Sequence, residues 1–207
     1  MPLYVTCGPM YSSKTTKLLQ QLTVYADSTR LNLSVTFAKP LLINHLEDKK
    51  RDSIDGISSH SSQMKGVSPF IDLVYSQHLA VVDIGERKVI GIDECQFFDD
   101  LFETVNSWLK KGLVVYCAGL NSDAMCRPFG QLHQLLCIAT EFHHVTSVCA
   151  ICLEESLKFG IVGFDLSKSY PASFTLKTGG DPALLVEPGA ENIYKPVCQK
   201  HHPYFSD

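Results

Sequence analysis

Thr6-Cys7-Gly8-Pro9-Met10-Tyr11-Ser12-Ser13-Lys14-Thr15 lies directly behind a short apolar run, Leu3-Tyr4-Val5, and directly ahead of a helix-like segment, Lys14 to Ala26. A strand, a tight loop closing on Lys-Thr and a helix make the setting in which the phosphates of a nucleoside triphosphate are held. Backbone N–H groups at the helix start point at the anion, the helix dipole favours negative charge there, and the lysine adds a mobile cation. In this reading Gly8, Pro9, Met10, Tyr11, Ser12, Ser13, Lys14 and Thr15 cradle the phosphates, and the Thr15 hydroxyl is placed to ligate Mg²⁺. The loop departs from G-x-x-x-x-G-K-[ST] at one position, because Ser13 stands where the second glycine belongs. If that residue needs a positive φ, a non-glycine costs about 1–2 kcal/mol there. A strand–turn–helix with a chance Lys-Thr would look the same, so the loop needs a partner motif.

Val89-Ile90-Gly91-Ile92-Asp93-Glu94 supplies one: an apolar strand ending in two carboxylates. This is the arrangement of a Walker B motif, in which a strand-end acid, here Asp93, serves Mg²⁺ while phosphates ligate its other side. Alone, a strand-end Asp-Glu is a common loop start. Behind a phosphate loop it carries more weight, and Glu94 becomes a candidate base for phosphoryl transfer.

The 207 residues suffice for one α/β domain and a small appendage, with 45% hydrophobic and 19% charged residues as in ordinary globular proteins. A net charge of −4 argues against broad attraction to nucleic acid or anionic membrane. No apolar run approaches the roughly 18 residues of a membrane span, and the chain opens into a strand without a basic leader, so a cytoplasmic location is expected. Apolar runs recur at Leu3–Cys7, Leu33–Ala38, Val89–Ile92, Val114–Ala118 and about His143–Val148, with helix-like segments at Lys14–Ala26, Asp99–Lys111 and Gln131–Ala139. Short buried strands alternating with helices predict a parallel sheet with helices on both faces, binding its ligand at the carboxyl ends of the strands. The polar segment Glu47 to Gly66 reads as a loop. Composition changes after Val148, which divides the chain into an α/β nucleotide-binding domain, 1–147, and a small zinc-binding domain, 148–207.

Among the cysteines, Cys7, Cys95, Cys117 and Cys137 lie in apolar segments that read as core, and Cys126 has no assigned role. Cys149-Ala150-Ile151-Cys152 and Cys198-Gln199-Lys200-His201 form a C-x₂-C … C-x₂-H set. Each pair is half of a tetrahedral Zn²⁺ site, and four protein ligands make such a site closed and structural. Disulfide pairing and free thiols are the competing assignments, and a disulfide is disfavoured without a secretory signal. His202 is an alternative fourth ligand at a less regular spacing.

With these motifs in order, the chain resembles the type II thymidine kinases, which carry a zinc-bound lasso, nearly end to end. Gly8 to Thr15 is similar to the family phosphate loop, and Asp93-Glu94-Cys95-Gln96-Phe97-Phe98 to its acidic strand end. Gly119-Leu120-Asn121-Ser122-Asp123 with Arg127-Pro128-Phe129-Gly130 resembles its nucleoside-side loop. Ala172-Ser173-Phe174-Thr175 resembles the lasso strand, and Gly189-Ala190-Glu191 with Tyr194 to Cys198 the lasso return. The resemblance implies transfer of the ATP γ-phosphate to the 5′-hydroxyl of deoxythymidine, with Glu94 as base and Thr15 and Asp93 on Mg²⁺. It further implies an apolar nucleoside wall of Met10, Phe97, Leu120 and Phe129, with Thr175 and Tyr194 nearby, feedback by dTTP, and a homotetramer or dimer.

Several positions depart from the family. Ala124 replaces an aromatic, and Lys177 replaces an arginine and so lacks its planar fork. Leu157 to Ser169 form an insertion, and Arg51-Asp52 match only loosely, while His60 fits the Ser-x-His-like end of the family loop as well as it fits a solvated loop histidine. Two other readings compete: a zinc-ribbon nucleic-acid module, opposed by the charge and the nucleotide motifs, and a P-loop nucleotide binder with impaired catalysis.

Overall fold

Apolar residues alternate between two faces along each central strand, and this alternation builds two cores on opposite sides of one sheet. The computed structural model describes residues 1–31, 38–49, 68–158, 170–180 and 193–205. Strands β1 (Leu3–Gly8), β2 (Leu41–His45), β3 (Asp72–Ser76), β4 (Val89–Ile92), β5 (Val114–Leu120) and β6 (Glu141–His144) form a six-stranded sheet in the order β3-β2-β4-β5-β1-β6. Every pairing is parallel, so all the strands deliver their carboxyl ends to one edge.

One face carries Leu3, Val5, Cys7, Ile43, Ile90, Ile92, Val115 and Cys117 and packs on Leu101, Val105 and Trp108 of α3 (Leu101–Lys110). The other carries Leu42, Val89 and Ala118 and packs on Leu18, Leu19, Leu22 and Ala26 of α1 (Lys14–Leu31). Gly91 lets α1 approach closely, since a Cβ there would lie 2.6 Å from Leu22 Cδ1. The chain is therefore an α/β protein with a parallel sheet covered on both faces, as the sequence pattern predicts.

The strand expected at Leu33–Ala38 lies, apart from the unstructured Ala38, outside the described residues; the strand beside it is β2, five buried residues just after Pro40. The loop expected from Glu47 to Gly66 begins as a short helix, α2 (Leu46–Lys49), and residues 50–67 fall outside the description. The segment Gln131–Ala139 is helical only at α4 (Leu132–Leu135), and Cys137, expected in the core, is exposed. The single strand expected at His143–Val148 is two: β6 closes the main sheet, and β7 (Ser147–Val148) pairs antiparallel with β8 (Pro171–Ala172).

After β7 come α5 (Ala150–Lys158) and a hairpin of β9 (Phe174–Lys177) and β10 (Tyr194–Val197). Their small core consists of Cys149, Cys152, Ala172, Val197 and Cys198. Most of the insertion, residues 159–169, and the stretch Gly189-Ala190-Glu191 lie outside the described residues, as do Arg51, Asp52 and His60. Among the described residues no helix is long and apolar enough to cross a membrane.

The orientation of α1 is testable by urea unfolding. Leu22 is fully buried and Val24 is 62% exposed, so Leu22→Ala is expected to cost about 2–5 kcal/mol and Val24→Ala less than about 0.5 kcal/mol. Equal losses would contradict this packing.

Candidate nucleotide site and metal cluster

The loop after β1 is held by close contacts that dictate its residues. A Cβ on Gly8 would lie 2.2 Å from the Val145 carbonyl oxygen, so only glycine fits. Tyr11 and Ser13 both adopt left-handed backbone, at φ 61° and 60°, where an L-residue is strained by about 1–2 kcal/mol. Ser13 thus occupies the conformation that usually selects glycine. Its carbonyl accepts from Lys17 N–H at 3.0 Å, the first turn of α1. Ser12 Oγ and Lys14 Nζ both donate to the Pro9 carbonyl, at 2.8 and 2.7 Å.

Lys14 is only 8% exposed. Burial pulls its pKa down, while the charges of Glu94 and Asp93 act to raise it. Asp93, at the end of β4, is buried, donates its own N–H to the Ile43 carbonyl, and accepts Glu94 N–H on Oδ1 at 3.0 Å. Burial first, and then the adjacent Glu94 charge, push the Asp93 carboxyl up to about 8; a hydrogen bond from the Thr15 side chain opposes the rise. Thr15 and Asp93, far apart in sequence, therefore meet. Thr16 Oγ1, in the same first turn, is buried without a hydrogen-bond partner. A buried carboxylate hydrogen-bonded to a threonine hydroxyl is a donor set of hard oxygens, which suits Mg²⁺.

Glu94 has left-handed backbone, at φ 48°, where the chain turns into a short 3₁₀ segment, Cys95–Phe97. The Gln96 amide donates to Glu94 Oε2 and accepts Leu120 N–H at 3.0 Å. Phe97 meets Phe129 edge to face, with centroids 5.4 Å apart. Asp123 is buried and accepts from the N–H groups of Met125 and Arg127, and from Arg127 Nε at 2.7 Å. This shapes the loop that contains Ala124.

The second module is pinned to the loop after β1 and to the loop after β5. Thr175 Oγ1 accepts Met10 N–H at 3.1 Å, Ser147 Oγ donates to the Tyr11 carbonyl at 3.0 Å, and Asn121 Nδ2 donates to the Ser173 carbonyl at 3.3 Å. The β9–β10 register sets Tyr194 opposite Lys177, so Tyr194, Lys177 and Thr175 share one face of the hairpin. The Lys177 ammonium lies 5.9 Å from the Tyr194 ring centroid. Of the expected residues, the structure brings Met10 to Thr175, Phe97 to Phe129 and Leu120 to Gln96, and Tyr194 shares the Thr175 face of the hairpin. Sequence reasoning passed over Gln96, Thr16 and Ser147. For Gln96 there was a signal, one amide between Cys95 and two phenylalanines.

Cys149, Cys152, Cys198 and His201 place their ligand atoms within 4.8 Å of one another. His201 Nδ1 lies 3.4, 3.5 and 3.5 Å from the sulfurs of Cys149, Cys152 and Cys198, and the last two sulfurs are 3.9 Å apart. Tetrahedral Zn²⁺, with Zn–S about 2.3 Å and Zn–N about 2.0–2.1 Å, requires S···S of roughly 3.8 Å and S···N of roughly 3.6 Å. The cluster fits a zinc ion. His201 Nε2 is buried without a hydrogen bond and lies 3.5 Å from Glu155 Oε1, a carboxylate placed to orient the ring. His202 is not the fourth ligand: its ring faces the Cys126 sulfur at 3.7–3.8 Å, and its Nδ1 accepts Tyr204 N–H.

A family model described as thymidine kinase matches residues 1–202. The chain is 28% identical over 202 residues to the thymidine kinase of Choristoneura fumiferana entomopoxvirus, covering 96% of this chain and 95% of that protein. It is 28% identical over 203 residues to the thymidine kinase of Choristoneura biennis entomopoxvirus, with the same coverage.

Metal analysis of the purified protein tests the cluster. One zinc per chain is expected, lost on Cys198→Ser. Because the ligands are themselves core residues, chelation is expected to release the β9–β10 hairpin, read as faster hydrogen exchange there than in the main sheet. A zinc-free protein with all three thiols reduced and the same exchange pattern would contradict it.

Proposed function

The chain belongs to the thymidine kinase family, and from that premise we propose that it transfers the γ-phosphate of ATP to the 5′-hydroxyl of deoxythymidine, giving dTMP and ADP. The observation that carries this reading is the meeting of Thr15 with Asp93 beside a buried Lys14. It joins the loop suited to phosphates and the acid-tipped strand into one site.

The amides of Gly8 to Thr15 would bind the donor phosphates, with the helix dipole and Lys14 offsetting their charge. Thr15 and Asp93 would hold Mg²⁺, which neutralises charge on the phosphates. Glu94 would accept the 5′-hydroxyl proton as that oxygen bonds to the γ-phosphorus and the bond from phosphorus to the β–γ bridging oxygen breaks. Met10, Phe97, Leu120 and Phe129 would form the apolar wall against a flat base, where stacking and apolar burial supply affinity. Thr175 and Tyr194, on one face of the hairpin, would close over the base from the zinc module. With Ala124 on the nucleoside-side loop, the pocket would be wider there than an aromatic residue would leave it.

A structural zinc at Cys149, Cys152, Cys198 and His201, feedback by dTTP, a homo-oligomer and a cytoplasmic location complete the family reading. The zinc-ribbon alternative is weakened because the cluster forms the core of a module hydrogen-bonded to the phosphate loop. A binder that has lost catalysis is disfavoured because Lys14, Thr15, Asp93 and Glu94 are all retained and mutually placed.

Glu94→Gln tests the chemistry. Turnover with ATP, Mg²⁺ and deoxythymidine is expected to fall at least about 10²-fold, the usual scale for a positioned base, while ATP affinity measured by calorimetry stays within about 3-fold. Wild-type turnover in this variant would overturn the role.

A further inference from the structure

Gln96 is 2% exposed and stands between the acid tip of β4 and the end of β5. Its amide nitrogen donates to Glu94 Oε2, and its amide oxygen accepts Leu120 N–H at 3.0 Å. A carboxylate only accepts and a backbone N–H only donates, so one orientation of the amide satisfies both and the flipped one satisfies neither. The chain around it enforces that position. A Cβ on Gly119 would sit 2.6 Å from Gln96 Oε1, and one on Gly130, at φ 59°, would sit 2.1 Å from the Gln96 carbonyl oxygen. Gly119 of β5 and Gly130 of the loop beyond it thus leave a slot that fits this residue and admits little movement.

We propose that Gln96 is a positioning residue for phosphoryl transfer: it holds one carboxylate oxygen of Glu94, leaves the other for the acceptor hydroxyl, and ties that carboxylate to the Leu120 backbone on the nucleoside wall. The inference rests on the reading of Glu94 as the base. Lys14 from α1 and the neighbouring Asp93 also act on Glu94, through their charge. Charge attraction sets no rotation of a carboxylate, whereas an amide hydrogen bond does. A glutamate side chain has several rotatable bonds to fix, and a base displaced by a fraction of an ångström loses rate steeply. Because the other end of the amide grips Leu120, the orientation of Glu94 is bound to the placement of the wall that contacts the nucleoside. Gln96 touches neither reacting atom in this scheme; it acts through Glu94.

The test is a double-mutant cycle read in kcat and KM, with thermal melts and zinc content to verify folding. Gln96→Met removes both hydrogen bonds. Gln96→Leu also removes both hydrogen bonds, with a different apolar shape, so it carries the test if the methionine variant does not fold. Each is expected to lower kcat roughly 10-fold or more, with KM for ATP and deoxythymidine within about 3-fold, and to cause less than about 2-fold further loss in the Glu94→Gln background. A merely structural residue would lose the same factor in both backgrounds. That additivity, or a kcat unchanged in both variants, or a loss confined to KM, would overturn the proposal. Wild-type kcat in Glu94→Gln alone would instead overturn the assignment of the base, which separates the two failures.

Discussion

A lysine ammonium buried against two adjacent carboxylates is the constraint that organises this molecule. Removing an unpaired charge from water costs several kcal/mol even after relaxation. Lys14 is therefore tolerable only because the Pro9 carbonyl accepts from it and the Asp93 and Glu94 charges oppose its desolvation. The carboxylates in turn repel each other, and burial with that repulsion holds the Asp93 carboxyl near 8. Add the left-handed Tyr11, Ser13 and Glu94, and the site combines backbone strain with buried charge. Such an arrangement persists only where the surrounding structure over-determines it. Here that structure is the parallel sheet: apolar layers on both faces fix β1 and β4, with β5 between them, and present their carboxyl ends together.

The cysteine-rich module is joined to this centre by hydrogen bonds to backbone. Thr175, Ser147 and the Ser173 carbonyl all meet the loop after β1 or the loop after β5. The module has a core made largely of the cysteines that could hold a metal, so its order and that of the contacts it makes depend on the cluster. The hairpin that would cover a nucleoside is thereby built on the cysteine cluster and anchored to the loop that would hold phosphates.

Much of this was legible in the residues, and the rest was hidden for identifiable reasons. β1, β4 and β5 are continuous apolar runs, the signature of strands buried on both faces, and could be read directly. β2 could not: it ends in Asn44 and His45, polar residues that are nonetheless buried. Asn44 is satisfied by Asp48 and by His45 N–H, and His45 accepts from Glu47 N–H. β6 is an edge strand with Glu141, Phe142 and His144 exposed, so its pattern blurs into the polar turn that follows. Spacing found all four members of the cysteine–histidine cluster and favoured His201 over His202, and the geometry agrees. The cost of Ser13 was foreseeable, whereas the contacts of Gln96 with Gly119, Leu120 and Gly130 across the sheet edge were not.

The central claim is that the loop after β1 and the acid tip of β4 serve one magnesium–triphosphate complex. A crystal structure with Mg²⁺ and a non-hydrolysable ATP analogue tests it most directly. The account predicts triphosphate oxygens on the backbone amides between Gly8 and Thr15, with the metal coordinated by the Thr15 hydroxyl and associated with Asp93. A triphosphate bound elsewhere, or a metal remote from Asp93, would contradict it.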